Sequence, residues 1–205
     1  MGSLAVIGTL HRCDQEITLF INSLSTPASD QFWMFMSDKT VWIPAYALCV
    51  YFLFRRVGWK KALIVIASVG IAFAMCDQLS TLVKHAVDRL RPSYDWNMLS
   101  GGLNVLERRG GFFGFFSAHA ANAFAFVMCM ILGFRNDRSH NYKVFSMFAL
   151  LWAALVSASR IFVGKHYFGD VLVGTAVGLA IGYACGMLAR IVIRKFVEKE
   201  AAIAG

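Results

Sequence analysis

The sequence has no Cys-x-x-Cys pair, no internal repeat, no low-complexity linker and no acidic cluster suited to Mg²⁺. Its cysteines are odd in number (Cys13, Cys49, Cys76, Cys129 and Cys185), and all but Cys13 fall in apolar runs. That usage fits small apolar packing residues and speaks against a disulfide framework or a thiolate metal site. The N-terminus lacks a charged start followed by an apolar core and a cleavage site, so no signal peptide is expected. With neither repeats nor linkers, one domain is expected over residues 1–205.

Charge is also scarce. Only 16% of residues are charged, against 58% hydrophobic. A soluble domain is nearer half apolar, so the excess points to lipid. The net charge of +8 is scattered in short clusters between apolar runs. This is a pattern of membrane topology rather than of a nucleic-acid-binding face, and no nucleic-acid partner is expected.

A bilayer core of about 30 Å needs about 20 apolar helical residues. Spans are expected at 41–54, extending back towards Phe32, and at 62–83, 117–134, 144–164 and 170–193. The expected fold is all-α, a polytopic membrane helix bundle of about five to six helices. Residues 1–40 form an N-terminal interfacial segment, 41–193 the transmembrane bundle and 194–205 a cytoplasmic tail. With five spans, Arg55, Arg56, Lys60, Lys61, Arg135, Arg138, Lys143, Arg194, Lys195 and Lys199 share one side, which is expected to be cytoplasmic. The segments 92–116 and 159–170 then face the periplasm or exterior. In "CDQEITLFINSL", Ile17, Phe20, Ile21 and Leu24 share one helical face and Asp14, Gln15, Glu16, Asn22 and Ser23 the other. The segment is too polar to span and reads as a helix in the outer interface or a cap packed on the bundle.

Three charged clusters fall at outer ends of spans. In "KHAVDRLRP", Lys84 and Arg91 are seven apart, which on a continuous helix puts them on one face, and Pro92 stops the helix. In "FSAHAANAF", Ser117 opens a span with His119 in its first turn, where free N–H groups suit an anion. In "SRIFVGKHYFGD", Ser159 and Arg160 end one helix, and His166 and Asp170 are four apart, within reach across a helical turn. Each cluster alone has a structural explanation, such as snorkelling cations or a salt bridge. Together they place three cations, two histidines and a carboxylate at one membrane face. That set suits phosphoryl transfer: cations hold the phosphate oxygens, one histidine attacks phosphorus, and the other protonates the leaving oxygen. No metal is needed.

The motifs K-x6-R-P (84–92), S-x-H (117–119) and S-R-x5-H-x3-D (159–170) resemble, in order and spacing, those of the type-2 phosphatidic acid phosphatase superfamily. The resemblance covers roughly residues 41–193. It implies a helical membrane bundle that hydrolyses lipid phosphates through a phosphohistidine, without a cofactor. Carried over, it makes His166 the nucleophile, Asp170 its orienting partner and His119 the general acid. Lys84, Arg91 and Arg160 bind phosphate with Ser117, while Ser159 has no firm role. The family's second motif usually reads Pro-Ser-Gly-His; here it is Phe116-Ser117-Ala118-His119. Losing the glycine removes access to positive φ and brings the local backbone and the substrate range into question.

Other features stand outside the motifs. Asp77, inside a span, is read as supporting the site through Gln78, Ser80 or Thr81, or as a helix–helix hydrogen bond. Gly174, Gly178, Gly182 and Gly186 form a small-residue stripe, either within the bundle or at a dimer seam. Arg108 and Arg109, in an aromatic and glycine-rich loop, either read a headgroup or form a solvated turn. The substrate is expected among bacterial lipid phosphates: undecaprenyl diphosphate or lipid A first, then phosphatidylglycerophosphate or phosphatidate. The main rival is a transporter or channel using the charges as an anion site, although no inverted repeat is present. A haem protein using both histidines, and a vanadate-binding oxidase, fit the cations and the spans less well. Nothing in the sequence fixes the oligomeric state.

Overall fold

A computed structural model describes residues 2–198; Lys199 and the rest of the expected tail lie outside them. The described residues form eight α-helices: α1 (Gly2–Ser23), α2 (Pro27–Ser37), α3 (Ile43–Val57), α4 (Trp59–Val87), α5 (Trp96–Ser100), α6 (Ala118–Phe134), α7 (Lys143–Phe162) and α8 (Phe168–Val192). The segments Thr40–Val57, Trp59–Val87, Lys143–Phe162 and Phe168–Val197 are long and apolar enough to cross a membrane. The fifth expected span, α6, is shorter at 17 residues.

Helix α6 occupies the centre because it has no polar face to expose. It carries no charge between His119 and Phe134, and nearly every residue from Ala120 onward is buried. The glycine stripe of α8 lies against it. A Cβ at Gly182 would stand 2.7 Å from Ala125 Cα, and one at Gly174 would meet Ser117 O at 2.5 Å. The stripe therefore serves close packing inside the bundle, not a seam between copies.

Two expected boundaries move. The first span does not reach back to Phe32. Helix α2, capped by Thr26 through Ser29 and opened by Pro27, ends at Ser37, and Asp38 turns extended. The Asp38 carboxylate then caps Thr40 at 2.8 Å and starts a new segment. Likewise, α4 does not run to Pro92. It ends at Val87 because Asp88 adopts a left-handed conformation, φ 50°. Arg89–Arg91 is therefore not helical. It pairs with the loop, Arg91 N–H donating to Phe112 O at 2.8 Å and Gly114 N–H to Arg89 O at 2.9 Å.

The N-terminal helix uses both of its faces, the polar one inward. Thr18 and Asn22 are buried, while Ile17, Phe20 and Leu24 are exposed. Asn22 donates to Ile161 O and Phe162 O and accepts from Asn104 N–H at 2.8 Å. An outward apolar face on a helix pinned by its polar face suits a position in the interface. At the far end of the bundle, Arg56 donates to His140 at 2.8 Å. That bond joins the 55–61 and 135–143 turns, so those basic segments share one end as expected.

Candidate active site

The end opposite those turns gathers residues from every core helix but α3. Lys84 lies in the last turn of α4, His119 in the first turn of α6, Arg160 in the last turn of α7 and Asp170 in the first turn of α8. Arg91 enters from the paired segment beyond α4, and its Nε donates to Phe113 O at 3.1 Å.

His166 is presented by the short turn between α7 and α8. Gly164 takes φ 74°, a conformation that other residues adopt only under strain. The turn folds around one carbonyl: the N–H groups of Lys165 and His166 both donate to Arg160 O, at 3.0 and 3.1 Å. His166 is left 2% exposed, its Nδ1 3.4 Å from Asp170 Oδ2. The same carboxylate oxygen accepts the Tyr167 N–H at 3.1 Å. With Nδ1–H directed at the carboxylate, Nε2 keeps its lone pair. Burial, then the charges of Arg160, Arg91 and Lys84, hold the His166 imidazole well below its ordinary pKa; a bond with the Gly114 backbone acts the other way. This environment favours the uncharged ring.

The cations differ in how far they are committed. The side chains of Lys84 and His119 form no hydrogen bond or ion pair among the described residues, and both residues keep some access to solvent. Arg160 is buried and donates to Ser37 Oγ and, at 3.4 Å, to Glu107, while its Nε has no partner among the described residues. A buried, unsatisfied donor beside two unpaired groups is suited to a ligand oxygen.

Other expected residues sit differently. Ser117 is buried; its hydroxyl caps α6 at Ala120 N–H, and its own N–H donates to Asp170 O at 3.0 Å. The N–H groups left for an anion there are those of Ala118 and His119. Ser159 donates back to Val156 O at 2.6 Å within α7 and does not join the cluster. Asp77 accepts from Asn122 of α6 at 2.9 Å, so the partners expected in Gln78, Ser80 and Thr81 are replaced by a helix–helix hydrogen bond. Arg108 and Arg109 are exposed. Arg109 lies over Tyr94, and Arg108 offers its carbonyl to Lys165. The unusual second motif is accommodated: Ala118 is helical, without positive φ, and Phe116 is buried in the core against Ala72 and Cys76.

Ser37, Arg89, Glu107 and Lys165 were missed as contributors. The Glu107 carboxylate faces Arg160 and Lys165, 3.7 Å from the Lys165 ammonium. One signal was available, since Glu107 is the single acid in residues 96–116.

A family profile described as the PAP2 superfamily matches residues 61–190, from the start of α4 to the end of α8. The chain belongs to the PAP2 superfamily. Among its relatives is a lipid A 4'-phosphatase of Bacteroides thetaiotaomicron, 34% identical over 84% of this chain and 75% of that protein. Another lipid A 4'-phosphatase, of Porphyromonas gingivalis, is 31% identical over 81% of this chain and 68% of that protein. The fold is shared with the crystal structure of a transmembrane PAP2 type phosphatidylglycerolphosphate phosphatase from Bacillus subtilis. That likeness has TM-score 0.72 and 19% identity, covering 92% of this chain and 89% of the other. It is shared too with Aquifex aeolicus LpxE, at TM-score 0.60 and 22% identity over 85% and 92% of the two chains. As a PAP2 member with these relatives, the chain is a multi-pass membrane lipid phosphatase.

Proposed function

We propose that this phosphatase removes a phosphate from a phosphorylated glycolipid of the lipid A kind, at the outer face of the cytoplasmic membrane, through a phosphohistidine at His166. The observation that carries the mechanism is the buried, neutral His166–Asp170 pair surrounded by Arg160, Arg91 and Lys84. The two lipid A 4'-phosphatase relatives favour that lipid over undecaprenyl diphosphate, phosphatidylglycerophosphate or phosphatidate. The outward orientation rests on the basic turns gathered at the opposite end.

The lipid chains stay in the bilayer while the phosphate enters between the helix ends. Lys84, Arg91 and Arg160, with the first N–H groups of α6, hold its oxygens and stabilise the charge spread over them in the transition state. Nε2 of His166 forms a bond to phosphorus as the bond to the leaving oxygen breaks. Asp170 accepts the Nδ1 proton's hydrogen bond and steadies the positive ring. His119, protonated once the phosphate's negative charge offsets the surrounding cations, gives its proton to the leaving oxygen. Water then attacks phosphorus, His119 takes a proton from it, and the N–P bond breaks to return neutral His166. None of these steps calls for a cofactor.

Phosphate release should be measured in detergent over a panel of lipid phosphates, with and without chelator. Lipid A is expected to be turned over best, unaffected by chelator, and labelled phosphate should be trapped on His166. Undiminished release by His166→Ala would overturn the mechanism, and preference for another lipid would overturn the substrate assignment.

A further inference from the structure

Arg89 lies two residues before Arg91, yet the two side chains go to different places. In an extended segment successive side chains alternate sides, so residues two apart would normally share one. Here the two nevertheless make different contacts. Arg91 stays in the phosphate cluster. Arg89 passes behind Asp170: Nη1 donates to Asp170 Oδ1 at 2.8 Å, and Nη2 donates to Asp14 Oδ2 of α1 at 2.6 Å. Its guanidinium stacks on the Tyr167 ring, 3.8 Å from the centroid, and its Nη2 is 3.3 Å from His11 Nδ1.

The neighbours of this arginine are fixed in turn. Asp14 also accepts the Gly169 N–H at 2.7 Å, and Thr18 Oγ1 accepts the Phe168 N–H at 2.9 Å, so the polar face of α1 caps the start of α8. The Tyr167 hydroxyl donates to Asp95 at 2.6 Å, and Gln15 donates to the same carboxylate at 2.8 Å.

The geometry points to Arg89, held by Asp14, as a positioning residue that aims Asp170 at His166 and is not itself a phosphate ligand. This rests on His166 being the nucleophile. A fully buried carboxylate is free to turn about its last bond unless both oxygens are engaged. Arg89 engages Oδ1, and that leaves Oδ2 directed at the imidazole. Both Nη atoms of Arg89 are already committed to carboxylates, only its Nε lacks a partner among the described residues, and the guanidinium lies on the Oδ1 side of Asp170, away from the ring. The fork shape is needed, because one ammonium does not present two divergent N–H groups to two carboxylates in fixed geometry. The N-terminal helix thereby becomes part of the catalytic apparatus rather than a membrane anchor alone.

The test compares Arg89→Lys, Asp14→Asn, Arg91→Lys and His166→Ala in the full-length protein, using the best lipid phosphate and inorganic phosphate as product inhibitor. Arg89→Lys is expected to lower kcat about 100-fold, as for a slightly misplaced catalytic group, with KM and the phosphate inhibition constant within about threefold of wild type. Arg91→Lys should instead weaken phosphate inhibition and raise KM. Asp14→Asn, which leaves Arg89 in place, is expected to lower kcat about tenfold with KM unchanged, and it decides the matter if Arg89→Lys fails to fold. Wild-type kcat in either variant, or weakened phosphate inhibition of the Arg91→Lys kind, would overturn the positioning role. An active His166→Ala would instead remove the nucleophile on which it rests, so the two failures are distinguishable.

Discussion

Both ends of the bundle carry a histidine beside an aspartate with arginines nearby, and only one of them has the makings of a reaction centre. At the basic end, His140 Nδ1 is 3.0 Å from Asp137, shorter than the 3.4 Å between His166 and Asp170. Yet the His140 side chain is 45% exposed, and its other contacts are Arg56 and the adjacent Ser139. Asp137 mainly serves its own turn, capping Ser139 and accepting from Tyr142, and those bonds hold it well below the usual carboxylate range. At the other end, groups from α4, α6, α7 and α8 converge, and the pair is shut away from water. Distance alone does not distinguish the pairs. Desolvation and cations drawn from separate helices do, because both multiply the electrostatic effect of each charge.

The largest test of this difference is substitution of the two histidines. His166→Ala is expected to cut phosphate release by at least about 1,000-fold, the loss typical of a covalent nucleophile. His140→Ala should stay within about twofold of wild type, as befits a surface group. A comparable loss from His140→Ala would collapse the distinction.

Next come the cations. Lys84→Ala and Arg160→Ala are each expected to lower kcat/KM about 100- to 1,000-fold, whereas Arg56→Ala at the other end should change it little. Steady-state kinetics on one lipid substrate measures all three. The Arg160 variant also removes a donor from Glu107 and Ser37, so its melting temperature should fall more than that of Lys84→Ala.

These outcomes bear on what the chain's sequence makes legible. The motif residues Lys84, Arg91, His119, Arg160, His166 and Asp170 do meet at one end, because fixed offsets at helix termini translate directly into position. Spans were legible for the same reason, since long apolar runs have one solution in lipid. Less was visible where single backbone conformations decide. Asp88 in the left-handed region ends α4 four residues before Pro92, so Arg89 and Arg91 lie beyond the helix in a segment paired with the loop. Which face of α1 turns inward was left open by the sequence, because the usual rule assumes water outside. Beside lipid the rule inverts, and Thr18 and Asn22 pack where a soluble helix would place Ile17 and Phe20. Glu107 and Lys165 were hidden because a loop's fold, not its composition, brings them to Arg160.

The pH dependence of stability tests the charge state of the buried histidine. His166 is depressed in the folded protein, so the unfolded chain takes up its proton first as pH falls. The stabilisation tied to its neutrality is complete above the ordinary value of about 6.5 and is lost as pH drops below it, by at most about 1.4 kcal/mol per pH unit. Thermal unfolding in detergent between pH 5 and 8 should therefore show a shallower acid loss for His166→Asn than for wild type. Equal slopes for the variant and wild type would mean that His166 is not kept uncharged by its site.

The smallest expected effect concerns Glu107, the loop acid that faces Arg160 and Lys165. Glu107 balances Arg160 and Lys165 and accepts the Ser37 hydroxyl, so it offsets part of the positive potential that would draw in a phosphate. Exchange for Gln keeps the shape and removes the charge. Glu107→Gln is expected to tighten inhibition by inorganic phosphate about threefold to tenfold, most clearly at low salt, with kcat lowered if product release slows. The corresponding change at the basic end, Asp137→Asn, should leave phosphate inhibition unaltered. If Glu107→Gln weakens phosphate inhibition instead, the carboxylate is holding Arg160 in place rather than opposing the anion. The site would then owe its strength to a fixed framework more than to net charge.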